Sequence, residues 1–145
     1  MDFIFECLRA NLFPIMDSKK LALLCRELAE NKKAEQAVIL DVRKLSSVTD
    51  YFVIVSGTSE PHLRAIADEI TAKLRDEHQV RPRAVDGDGR ASWQVLDYFD
   101  VIVHIMRADT RERYDLESLW GDAPRLRPPR ARRSVKKTQK QTETD

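Results

Sequence analysis

Three small residues, Gly57, Thr58 and Ser59, separate an apolar run from what reads as a helix in "YFVIVSGTSEPH". A turn of this kind presents backbone N–H groups and the positive end of a helix, a setting suited to an anion such as a phosphate. Enzymes that transfer nucleotidyl groups use a similar strand–Gly–Ser–helix arrangement. They also need two close carboxylates to hold Mg²⁺ near the phosphates, and that pair should lie on the strand after the helix. The nearby acids are Asp86 and Asp88 in "VDGDGR", whose two glycines fit a flexible turn better than a rigid metal site. Asp97 and Asp100 flank a later bend, where turn-forming acids are common. The lysine of phosphate-binding loops is missing. The stretch is also explained without chemistry: Gly57 releases the strand, Thr58 or Ser59 caps the helix, and Glu60 complements its positive end.

Nucleophilic catalysis finds no better support. The histidines are His62, His78 and His104, and no His–acid pair is identifiable beside Ser56 or Ser59. His104 stands within "VIVHIM", a hydrophobic strand, where a hydrogen-bonded core or edge histidine is favoured over a catalytic one. Cys25 falls on the apolar face of a helix and reads as an inert buried thiol. With Cys7 it has no metal-ligand spacing, so neither a zinc site nor a disulfide framework is indicated and a reducing compartment is the default. No cofactor is expected.

The elements that would position these residues follow from the pattern. Leu21, Leu24, Cys25 and Leu28 recur at helical spacing over Ser18 to Glu30, behind Asp17 or Ser18 as cap. "AVILDVRKL" and "YFVIVSG" read as strands, the second apolar enough to be buried on both faces. Leu63, Ile66, Ala67, Ile70 and Leu74 form the stripe of a helix from about Ser59 to His78, with Pro61 in its first turn. "RPRAVDG" is a short strand, and "SWQVLDY" with "DVIVHIM" makes a tight hairpin. "ADTRERYDLESLW" is a helical return. The order α, β, β, α, β, β, β, α predicts an α/β fold with a mixed sheet flanked by helices.

At 145 residues the chain fits one domain. Its charge of +1 is unevenly spread: 17 basic and 21 acidic residues precede Gly121, and eight basic and three acidic follow from there. Any nucleic-acid contact is therefore sought in the region 121–145, which is read as a basic disordered tail. It has no aromatics to stack on bases, and a solubilising tail with no set partner is equally compatible with its composition. No apolar run is long enough to span a bilayer. The stretch "MDFIFECLRANLFPIM" carries Asp2 and Glu6 where a signal peptide carries positive charge, so a cytoplasmic location is expected.

Three motifs, "ILDVRKLSSVTDYFVIVSGTSEPHLRAIAD", "SWQVLDYFDVIVHIM" and "RYDLESLWGDAPR", taken in order over about Met16 to Arg125, resemble the ribosomal silencing factors, the RsfS or Iojap family. The resemblance implies a nucleotidyltransferase-like fold without the catalytic carboxylates. It implies a translational repressor, not an enzyme, that binds the large ribosomal subunit through its interface protein L-fourteen. Bound there, it would block joining of the small subunit when nutrients run short. A nucleotidyltransferase-like, metal-dependent enzyme is the alternative.

The family's hairpin pattern points to Trp93, Leu96, Asp97 and His104 as contacts to the ribosomal protein, and Tyr98 and Asp100 join them because aromatics anchor interfaces and acids suit a basic partner. Tyr114, Asp115 and Trp120 match the closing motif and are expected to seal the end of the domain. Arg130, Arg132, Arg133, Lys136 and Lys137 could touch ribosomal RNA, and an exposed sheet edge or helix face could support a homodimer when the chain is free. Two features depart from the pattern: Phe99 stands where many relatives have glycine, and residues 1–15 precede Met16, where relatives commonly begin. The expected division is thus an extension over 1–15, or a misassigned start, the domain proper over 16–120, and the tail over 121–145.

Overall fold

The computed structural model describes residues 16–87 and 92–126. Helix α1 (Ser18–Asn31) begins where the Asp17 carboxylate accepts the Lys20 N–H at 2.8 Å, satisfying a first-turn donor that has no partner within the helix. Its buried stripe is Leu21, Ala22, Cys25, Leu28 and Ala29. Helix α2 (Glu60–His78) is capped by the Ser59 hydroxyl, which accepts the His62 N–H at 3.2 Å, and it buries the five residues expected from their spacing. Strands β1 (Glu35–Asp41), β2 (Tyr51–Gly57), β3 (Ala84–Asp86), β4 (Trp93–Asp97) and β5 (Val101–Arg107) form one sheet in the order β1-β2-β5-β4-β3. Only β2 and β5 run parallel; the other neighbours are antiparallel. The mixed α/β architecture is therefore as the sequence predicts.

Both faces of the sheet are apolar. Helices α1 and α2 close the first over Ile39, Tyr51, Val53, Val55, Val101, Val103 and Ile105. On the second face Leu40, Val42, Ile54 and Met106 pack beneath Leu116, Trp120 and Ala123. Strand β2 contributes to both, which explains its near-continuous apolar sequence.

Three boundaries differ from the sequence reading. Strand β1 ends at Asp41 rather than Leu45, because the Leu45 and Ser46 N–H groups fold back onto the Val42 carbonyl at 3.0 and 2.8 Å. The return is two short helices, α3 (Ala108–Tyr114) and α4 (Leu116–Leu119), separated by Asp115 at φ +47°. The tail boundary at Gly121 also needs correcting. The Asp41 N–H donates to the Pro124 carbonyl at 2.8 Å and the Leu126 N–H to the Ile39 carbonyl at 2.9 Å, so this segment lies along β1 and covers that sheet edge.

Candidate functional site

The Gly57 turn is tied to its own neighbours. The Thr58 N–H donates to His62 Nδ1 at 2.9 Å, and His62 Nε2–H donates to the Lys32 carbonyl at 2.7 Å, just past the end of α1. Behind the turn, Arg111 donates to the Ser56 hydroxyl at 2.8 Å and to both Glu117 oxygens at 3.0 and 2.9 Å. That pairing holds the Glu117 carboxyl below the usual carboxylate range. Gly57 permits a close approach: a Cβ there would meet the Leu63 side chain at 2.6 Å and force it to shift. Asp86 lies on β3, three strand positions across the sheet from β2 and opposite Ile54 rather than the turn, so it is remote from Gly57. Asp88 falls outside the described residues. Among the described residues no three His, Cys, Asp or Glu side chains are grouped to hold a metal ion.

The hairpin presents a different surface. Alternation along β4 and its register with β5 place Trp93, Val95, Asp97, Ile102 and His104 on the second face of the sheet. The returning helices cover chiefly the β1–β2 side of that face, so Trp93, Val95, Ile102 and His104 remain half-buried. Trp93 Nε1–H donates to His104 Nδ1 at 3.1 Å. That bond needs a lone pair on Nδ1, so the proton of the neutral ring sits on Nε2. Burial lowers the His104 pKa to about 4, which keeps the ring neutral at physiological pH. The His104 ring meets Phe52 edge-on at 5.3 Å. Trp120 packs on Phe52 at 5.2 Å, and Tyr114 packs on Trp93 at 5.0 Å. Trp120 thus seals the second face, while Tyr114 stays more than half exposed.

Two of the hairpin residues named from sequence are not on this surface. Leu96 is fully buried and Tyr98 nearly so, both beneath the helices, because alternation from Trp93 and Asp97 sends them to the opposite face. They support the hairpin and cannot touch a partner while the chain is folded. Asp97 is at the rim, bound to Arg83 at 2.9 Å, and Asp100 is exposed at the turn. Arg130, Arg132, Arg133, Lys136 and Lys137, and residues 1–15, lie outside the described residues.

The sequence pattern of the family described as "Ribosomal silencing factor during starvation" matches residues 15–145. The chain belongs to the ribosomal silencing factor family. A protein named Ribosomal silencing factor RsfS from Halalkalibacterium halodurans is 38% identical over 109 residues, covering 75% of this chain and 92% of that one. The mouse protein named Mitochondrial assembly of ribosomal large subunit protein 1 is 34% identical over 98 residues, covering 64% of this chain and 42% of its own length. A crystal structure of a protein from Chromobacterium violaceum superposes with a TM-score of 0.69 at 29% identity, covering 79% of this chain and 91% of the other.

Within this silencing-factor fold, sequence reasoning missed Phe52 as part of the open face and Arg111 as the buried clamp on Ser56. Phe52 could have been found from its strict alternation with Ile54 across β2. Arg111 pairs with Glu117 six residues on, as a surface ion pair would, and its burial against Ser56, 55 residues away, carried no local signal. No helix among the described residues is long and apolar enough to cross a membrane.

Proposed function

We propose that this chain binds the large ribosomal subunit at its interface protein L-fourteen and blocks the small subunit by occupying its ground, slowing translation when nutrients are limiting. Family membership supports the ribosomal setting, and the mouse relative is named for assembly of the large subunit. The observation that carries the reading is the half-covered aromatic face of Trp93, His104 and Phe52, rimmed by Asp97. Aromatic side chains anchor protein interfaces, and the exposed Asp100 carboxylate at the adjoining turn complements a basic ribosomal protein. A patch of ordinary size buries roughly 800 Å² on each partner. Once it is bound, steric exclusion suffices and no covalent step is needed. The setting in this reading is cytoplasmic, and Arg130, Arg132, Arg133, Lys136 and Lys137 add salt-sensitive contacts to ribosomal RNA.

A subunit-joining assay tests the proposal. Large subunits saturated with the protein should fail to pair with small ones. Trp93→Ala and His104→Ala should restore pairing, with circular dichroism confirming that each variant is folded. Normal pairing in the presence of saturating wild-type protein would end the reading.

A further inference from the structure

Phe99 sits at the tip of the β4–β5 turn with φ +74° and more than half its surface in solvent. A bulky side chain rarely adopts a positive φ, and glycine or asparagine takes that backbone with less strain. Here the geometry is imposed from every side. The Phe99 N–H donates to Asp97 Oδ1 at 2.8 Å, the Asp100 N–H to the Tyr98 carbonyl at 2.9 Å, and the Tyr98 N–H to the Val101 carbonyl at 2.8 Å. Arg83, ion-paired to Asp97, lies 4.2 Å from the ring centroid and holds it in place. The fold gains little by keeping an aromatic ring in solvent on a strained backbone, and such outliers concentrate where a surface does work.

The neighbouring charge indicates the kind of partner. The Asp50 and Tyr51 N–H groups donate to the Asp100 carbonyl at 2.9 and 3.0 Å, so the β1–β2 loop and the turn meet at one end of the sheet. Arg83 is paired with Asp97 and Arg43 with Asp41, whereas neither Asp50 nor Asp100 has an ion-pair partner among the described residues. Val48, two residues from Asp50, is an exposed apolar side chain at the same end.

We infer that the β4–β5 turn is a docking tip, with Phe99 entering an apolar slot of a basic protein surface while Asp50 and Asp100 pair with cations at the rim of the slot. The partner is a protein rather than a nucleic acid, since two uncompensated carboxylates beside the ring repel phosphates. The inference rests on the large-subunit reading above and adds an anchor outside the Trp93–His104 face.

Co-sedimentation of the full chain with purified large subunits tests it, using wild type, Phe99→Gly, Phe99→Asn and the Asp50→Asn/Asp100→Asn pair. Both Phe99 substitutions suit the positive φ, so the turn persists and melting temperature does not fall. Each should weaken binding by about tenfold, the usual loss for an aromatic anchor. The double Asn variant should weaken it and flatten its dependence on salt. Wild-type binding that both Phe99 variants match within about twofold overturns the docking tip and leaves the large-subunit reading standing. Loss of binding to naked ribosomal RNA as large as the loss to intact subunits also overturns it, because the ring would then be stacking on bases. Wild type that does not sediment with large subunits at all removes the underlying reading and this inference with it.

Discussion

His104 makes the folded chain sensitive to mild acid. Its pKa is lowered by burial from 6.5 to about 4, so between those values the unfolded chain binds the extra proton and the folded chain does not. For a histidine depressed on folding, stability is fully present above about pH 6.5 and falls as pH drops toward 4. From pH 7.5 to 4.5 the two titrations differ by about 2.5 kcal/mol, at 1.36 kcal/mol per unit. The structural origin is burial of the imidazole against the Phe52 and Trp93 rings, and the Trp93 bond at 3.1 Å likewise uses an unprotonated Nδ1. His104→Gln retains an acceptor for Trp93 but cannot titrate. Urea unfolding at several pH values should show wild type losing about 2.5 kcal/mol more than the variant over this range, since all other groups titrate alike in both. Parallel profiles, differing by less than about 0.5 kcal/mol, would mean that His104 is solvated when folded and that the aromatic face does not desolvate it.

Other consequences are as direct. Arg111→Met leaves the Ser56 hydroxyl and the Glu117 carboxylate without their buried donor and should cost about 3 kcal/mol in urea unfolding; a loss below about 1 kcal/mol would show that water replaces the guanidinium. Leu96→Ala should cost about 2–5 kcal/mol as a core truncation, so a fully stable Leu96→Ala variant would contradict its burial. Ending the chain after Trp120 removes buried Ala123 and the two backbone bonds to β1, and should lower stability by about 2 kcal/mol relative to a chain ending at Leu126; equal midpoints would mean that this segment adds nothing to the fold.

The helices were legible because their information is local. Asp17 and Ser59 announce the starts, and residues at spacings of three and four announce the buried stripes. Strand β2 was legible because both its faces are buried. The facing of the hairpin was obscured by Gln94, a polar residue that is itself buried among the apolar side chains of the helix-covered face. With Gln94 inside, the sequence "WQVLDY" does not alternate cleanly, and Leu96 and Tyr98 pass for surface residues. The docking of Pro124 to Leu126 on β1 was hidden for another reason: the contact is made by backbone groups, which every residue carries. Arg111 was hidden because a charge is expected in water, and only its placement against Ser56 shows otherwise.

The same distinction between local pattern and assembled context decides the Gly57 turn. Its residue types are those of an anion cradle, and its helix end is correctly placed for one. In the assembled domain the Thr58 N–H is taken by His62, whose other nitrogen is tied to the carbonyl of Lys32 beyond α1. The cation nearest Ser56 is Arg111, already bound on two edges by Ser56 and Glu117. A phosphate taking the Thr58 N–H would have to displace His62 and so break the tie between the two helices that close the first face. The turn therefore works as a latch joining β2, α2 and the end of α1. With that end of the sheet committed to holding the helices, the half-covered face of Trp93 and His104 and the projecting Phe99 turn are what the hairpin leaves free to meet a partner.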